Sequence, residues 1–253
     1  MSSSKRFVSK GGVQIANDFR DNLIVDRYDP VFVAMRLSKL KHLCSENSED
    51  AVTWNVFRSL RQIDPAAWLP ELVRRGLGKT AELPSARVAV SLWVNVAPPA
   101  GLLAEGDEGI SEIDIVLEAP TWVWFIEAKY GSDISTGTTT RPFRDQLLRN
   151  IDVGSYHAGV RDFYFSLLVK STTASPKGAE MVDQYSSLSR PRELLSHHRP
   201  DGLANLKTVS LLTWSDLASV LVKAAEQAIR NDEHIFAERA LAWLQSKALL
   251  PSS

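Results

Sequence analysis

A single cysteine, Cys44, is all the thiol this chain carries. No intrachain disulfide can close and no multi-thiolate zinc site can assemble, so nothing calls for an oxidising compartment. Long apolar runs are also missing. The longest, such as Trp122 to Ile126, fall far short of the roughly 20 residues a membrane-spanning helix needs, and no membrane partner is expected. Charge of one sign is not in excess either: 29 Lys and Arg stand against 30 Asp and Glu, for a formal net charge of −1. Proteins that coat nucleic acid through bulk charge carry a basic surplus. Its absence counts against that class but leaves a local basic groove open, because steering depends on distribution. Met1 to Gly12 is polar and basic with no apolar core, unlike a signal peptide, so a cytoplasmic location is expected. No Walker loop, dinucleotide fingerprint, nucleophile elbow or internal repeat occurs.

What is present is an ordinary globular composition, 44% hydrophobic and 23% charged, enough to bury a full core. Residues 1–28 are weakly patterned and predict a flexible arm, leaving 29–253 as one domain. Pro30 can open a helix, with Val31, Met35, Leu37, Leu40 and Leu43 at roughly helical spacing. A second helix has Val52, Val56, Leu60 and Ile63 on one side, Arg58 and Arg61 away from it, and Ser48 or a neighbour as its cap. A third runs around Trp68 to Leu77. The period then changes: Ala86 to Val96, Ile113 to Leu117 and Trp122 to Lys129 read as strands, the last two as a hairpin. A Gly, Ser and Thr-rich loop, 131–140, precedes a helix from Pro142 to about Gly154 with Phe143, Leu147, Leu148 and Ile151 on one face. Phe163 to Val169 and Val209 to Thr213 complete the strands. Between them lies a polar stretch, 171–205, and helices over 216–249 close the chain, with Ser215 as a cap. This order predicts an α/β fold, a mixed central sheet flanked by helices, with an N-terminal helical segment.

The chemistry concentrates in two of these strands. Asp114 interrupts an apolar strand between Ile113 and Ile115, and Glu127 and Lys129 end the next one. Alternation puts Glu127 and Lys129 on one face with Ala128 opposite, and pairing of the strands lets Asp114 reach that face. Two carboxylates and an ammonium at a strand end suit Mg²⁺ and a phosphate: hard oxygens bind the ion, and the lysine orients water or offsets charge. The bland alternative is a surface ion pair on a half-exposed sheet, against which stands the apolar character of Trp122 to Ile126 on both faces.

Asp114 followed thirteen positions later by Glu127-Ala128-Lys129 resembles the PD-(D/E)XK nuclease superfamily, although Ile113 stands where the family name has proline. Glu49, in Glu-Asp-Ala-Val-Thr-Trp, is placed like the acidic residue that an early helix of that family adds to the metal site; Asp50 or Glu46 could substitute. Gln146, in Arg-Asp-Gln-Leu-Leu, is placed like the family's helical glutamine. The resemblance covers about residues 45–215. It implies a restriction-endonuclease-like fold and a nuclease with DNA as substrate, in defence against foreign DNA or in repair. Asp114, Glu127, the Ala128 carbonyl and Glu49 would hold Mg²⁺, which Mn²⁺ could replace, Lys129 would position the attacking water, and Gln146 would orient the site. A homodimer is the expected form for a double-strand cut. The alternative is a catalytically inactive nuclease-fold module that binds nucleic acid or protein. An acid–base enzyme working through two carboxylates without metal ranks last. Arginines near 141–149 and at 190, 192 and 199 are candidates for backbone contact, with Arg149 expected to face water. Glu112 and Glu118 are expected as surface charges, His197 and His198 as solvated loop, and most tryptophans as core.

Overall fold

The computed structural model describes residues 6–10, 12–99, 109–135, 137 and 144–249. Among these, the expected α/β class holds. Five strands form a mixed sheet in sequence order: β3 (Ala89–Val96), β4 (Ser111–Glu118), β5 (Trp122–Ala128), β6 (Asp162–Val169) and β7 (Leu206–Thr213). The first three are antiparallel neighbours, and β5, β6 and β7 run parallel. The antiparallel β4–β5 pair follows from a tight turn at Ala119–Thr121. The parallel ones need crossovers long enough to hold helices.

Alternation in β5 decides which layer each side chain enters. Trp122, Trp124, Ile126 and Ala128 face one core layer, shared with α3 (Glu49–Leu60), α4 (Pro65–Gly76), α8 (Trp214–Gln227) and α9 (Asn231–Ser246). Val123 and Phe125 face the other, beneath α5 (Gln146–Ala158), α6 (Pro176–Ser186) and α7 (Ser189–Leu195). Every residue of β5 is buried, the pattern of a central strand covered on both sides. Five of the seven tryptophans (Trp54, Trp68, Trp122, Trp124 and Trp214) are fully buried, as the core reading expected.

The N-terminal region departs from expectation. Within the stretch read as a flexible arm, the described residues form a short antiparallel pair, β1 (Arg6–Val8) with β2 (Gln14–Ala16), and a 3-10 turn at Phe19–Asn22. Leu23 is fully buried, and the Asn22 amide donates to the carbonyls of Leu43 and Ser45. The helix expected from Pro30 is broken into α1 (Val31–Ala34) and α2 (Leu37–Leu43), because Met35 and Arg36 take extended backbone. Of its expected apolar stripe, Leu43 is buried and Met35 and Leu40 pack partly against the core, but Val31 and Leu37 face solvent, and Phe32, outside the stripe, is buried. Arg58 is not solvated either, since it pairs with Asp26 and Asp29. The helix over 142–154 starts at Gln146, capped by Asp145; Phe143 and Arg141 lie outside the described residues. Thr213, not Ser215, caps α8, in a reciprocal box with Asp216.

The polar stretch 171–205 holds α6 and α7 and braces α5. The Tyr185 hydroxyl donates to Asp145 at 2.5 Å, at the start of α5. Arg199 donates to Asp152 at 2.7 Å, near its middle. Arg199 is thereby buried and internal, whereas Arg190, in a surface pair with Glu193, and Arg192, which donates to the Leu206 carbonyl, stay exposed. His198 likewise contacts Asp152, at 2.8 Å, instead of lying in a solvated loop.

Candidate active site

The site lies where β4 parts from β5. Their pairing runs from Glu118↔Val123 to Ile115↔Ile126 and stops there. The next position of β4 is Asp114, and the next of β5 is Glu127. In place of a ladder bond, the Asp114 Oδ2 atom accepts the Ala128 N–H at 3.0 Å. The outer side is irregular at the same place. The β3–β4 register passes over Trp93, between Leu92↔Ile115 and Val94↔Ile113. Trp93 itself has left-handed backbone, φ 54°, a conformation costing a bulky residue about 1–3 kcal/mol. The alternation slips at the same point, so that Ile113 and Ile115 enter opposite core layers. Trp93 is held in place by stacking on Trp54, 5.2 Å between ring centroids.

Glu127 points to the α5 side, and its carboxylate is bonded at both oxygens. Oε1 accepts from Lys129 Nζ at 2.8 Å and Gln146 Nε2 at 2.5 Å, and Oε2 accepts from Asn150 Nδ2 at 2.8 Å. Lys129 follows the last residue of β5. Its N–H donates to the Leu168 carbonyl, and its own carbonyl accepts from the Trp214 indole at 3.1 Å. Burial alone would lower the Lys129 pKa, but the charges of Glu127, Glu49 and Asp114 outweigh it and hold the pKa above the ordinary lysine value. This favours the ammonium form, a donor and counter-charge.

Glu49 arrives from the first turn of α3, where Ser48 caps the helix by accepting the Ala51 N–H. Glu49 Oε2 accepts the Tyr130 N–H at 2.7 Å, and Oε1 lies 3.7 Å from Lys129 Nζ. Of the three acidic residues weighed for this position, Glu49 alone faces Lys129. Asp50 pairs with Lys39, and Glu46 accepts the Gln14 N–H. Glu112 also pairs with Lys39 and Glu118 with Arg161, so neither joins the site. Arg149, expected to face water, donates to the Gly109 and Ile110 carbonyls.

Three carboxylates thus surround one ammonium. Burial, and then the charge of Glu127, push the Asp114 pKa well above the ordinary aspartate value. Burial also raises that of Glu49, with Lys129 and the Tyr130 N–H pulling back. Crowded hard oxygens carrying an unrelieved negative charge fit a small divalent cation, which takes one or two protein carboxylates and keeps water for the rest of its shell. Among the described residues, no three His, Cys, Asp or Glu side chains converge as a ready-made cage. The cation that fits is therefore one shared with solvent and substrate.

Outside the acidic group, a cleft of about 830 Å³ is walled by Ser48, Glu49, Tyr130, Ser132 and Lys170, with His42 at one side. It opens at the carboxyl ends of β5 and β6, the end of an open α/β sheet where ligands bind. Sequence reading brought together Asp114, Glu127, Lys129, Glu49 and Gln146. It missed Asn150, Lys170 and the supporting Trp214. Asn150 was legible in principle, since it falls one turn beyond Gln146 on the same helix face. No family model, curated protein or solved structure matches the chain, and the site is defined by its own geometry.

Proposed function

We propose that this chain is a metal-dependent nuclease that hydrolyses phosphodiester bonds, with DNA as its substrate. The observation that carries the reading is the meeting of Asp114, Glu127 and Lys129 at the strand fork. Asp114 and Glu127 would hold Mg²⁺, with the Ala128 carbonyl as a further oxygen, and Glu49 would complete the acidic cluster. A bound Mg²⁺ supplies Lewis-acid polarisation of the phosphoryl oxygen. The charged Lys129 ammonium donates to the attacking water or to a non-bridging oxygen and offsets developing charge. Gln146 keeps the Glu127 carboxylate in place, and Lys170, at the cleft wall, would contact the phosphate backbone. Defence against foreign DNA and repair are both roles for such an activity.

The test is cleavage of linear, circular and single-stranded DNA with Mg²⁺, Mn²⁺ or EDTA, comparing wild type with Lys129→Ala and Asp114→Asn. Cleavage that requires metal and falls by at least 100-fold in both folded variants is expected, the scale of losing one electrostatic donor being about 10²–10³. Equal cleavage by all three proteins would remove the assignment. One feature favours a second reading, a binding module without catalysis: both oxygens of Glu127 are already bonded by protein donors. DNA binding without cleavage under any metal condition would select it.

A further inference from the structure

Two amides reach the same carboxylate from one helix. Gln146 and Asn150 are four residues apart on α5, so they stand side by side on one face, and each donates to a different oxygen of Glu127. Asn150 is 3% exposed and sits well inside the layer between α5 and the sheet. Lys129 and Gln146 both bond Oε1. With those two alone, the carboxylate could still turn about its last torsion, which is broad and roughly two-fold. The bond to Oε2 removes that freedom. A carboxylate has about four acceptor positions. Among the described residues three are filled, which leaves one on Oε2.

We propose that Asn150 is a positioning residue for metal capture: it fixes Glu127 Oε2 so that the oxygen's open acceptor position is presented in a single orientation. The proposal rests on the nuclease reading. Partners that orient ligating carboxylates typically change metal affinity or activity by 10–100-fold when removed.

The experiment is calorimetric titration of the metal-free protein with Mn²⁺ and with Mg²⁺, at a temperature well below unfolding, for wild type, Asn150→Leu and Asn150→Ser. Leucine keeps most of the side-chain volume without a donor. Serine is small and polar, with a hydroxyl too short to reach Oε2, and covers the case in which leucine does not fold. The expected result is a 10–100-fold weaker metal dissociation constant in either folded variant, together with a matching rise in the metal concentration needed for half-maximal cleavage. A purely structural role would lower the unfolding temperature without moving the metal titration. Unchanged affinity in a folded variant, beside metal binding by wild type, would overturn the proposal while leaving the nuclease reading intact. No metal binding by wild type would overturn both.

Discussion

Asp152 is fully buried and still carries two arginines and a histidine on its carboxylate: Arg144 at 2.5 Å, Arg199 at 2.7 Å and His198 at 2.8 Å. Burial alone would raise its pKa, but Arg144, His198 and Arg199 outweigh it and hold the group below the ordinary aspartate value. The sign of its contribution follows. A folded-state pKa below the unfolded one stabilises the protein above the ordinary aspartate range, near about 4, and this stabilisation is lost as pH falls through the lowered value. Asp152→Asn would remove the buried counter-charge that Arg144 and Arg199 share, although Arg199 keeps its pair with Asp201. Breaking a buried pair in this way costs about 3–5 kcal/mol. Urea unfolding at pH 7 should show a loss approaching that size, and the gap to wild type should narrow as pH falls from about 4, the ordinary aspartate value, toward the lowered folded one. A gap that stays constant from pH 7 to pH 3 would mean that shape, not charge, is what Asp152 contributes.

At the scale of elements, α5 matters most, because it carries both amides that hold Glu127. It lies close on the sheet at Gly154, where an added Cβ would come within 2.1 Å of the Phe163 ring and 2.8 Å of Phe125. Those rings meet edge to face at 89° and neither is exposed, so they have no room to yield. Alanine in a helix interior is favoured over glycine by about 1 kcal/mol, whereas overpacking a dense core costs about 1–3 kcal/mol. Gly154→Ala is therefore expected to lower stability on balance in urea unfolding. By lifting α5, it should also reduce cleavage beyond what the unfolded fraction accounts for. Unchanged or increased stability would show that α5 is free to shift. Elements of this kind were legible to different degrees. Strand β5 and the face shared by Glu127 and Lys129 could be read from alternation alone, as could Ser48 capping α3. The break between α1 and α2 could not: an apolar stripe at helical spacing does not say which of its members finds a partner, and Leu43 did while Val31 and Leu37 did not. Nor could the fork at Asp114, which coincides with left-handed backbone at Trp93 in a different strand. The bracing role of 171–205 rests on contacts between residues some 40 to 47 positions apart, such as Tyr185 with Asp145 and Arg199 with Asp152, which no local pattern encodes.

For the whole molecule, the near-zero formal charge of −1 conceals a local surplus of negative charge at the site, and folding without a cation must bear it. Asp114 makes that burden measurable. Its pKa is raised in the folded state, chiefly by burial and next by Glu127. Its stabilising contribution is therefore complete below the unfolded aspartate value and is lost as pH rises through the folded one. The ionised form of this side chain opposes folding. Asp114→Asn removes the charge but keeps an oxygen to accept the Ala128 N–H. In EDTA at pH 7 the variant should therefore unfold at a higher temperature than wild type, by several degrees if the relief is one or two kcal/mol, since 1 kcal/mol moves a chain of this size by about 2–4 °C. Metal should reverse the order. A ligand that binds only the folded state at 100 times its dissociation constant adds about 2.7 kcal/mol, and wild type should gain this from Mg²⁺ while the variant gains much less. Thermal unfolding of both proteins in EDTA and across a Mg²⁺ series reads the two effects separately. A variant less stable than wild type in EDTA would mean that Asp114 is held mainly by its bond to Ala128. A Mg²⁺ response equal in both proteins would place the ion away from the fork.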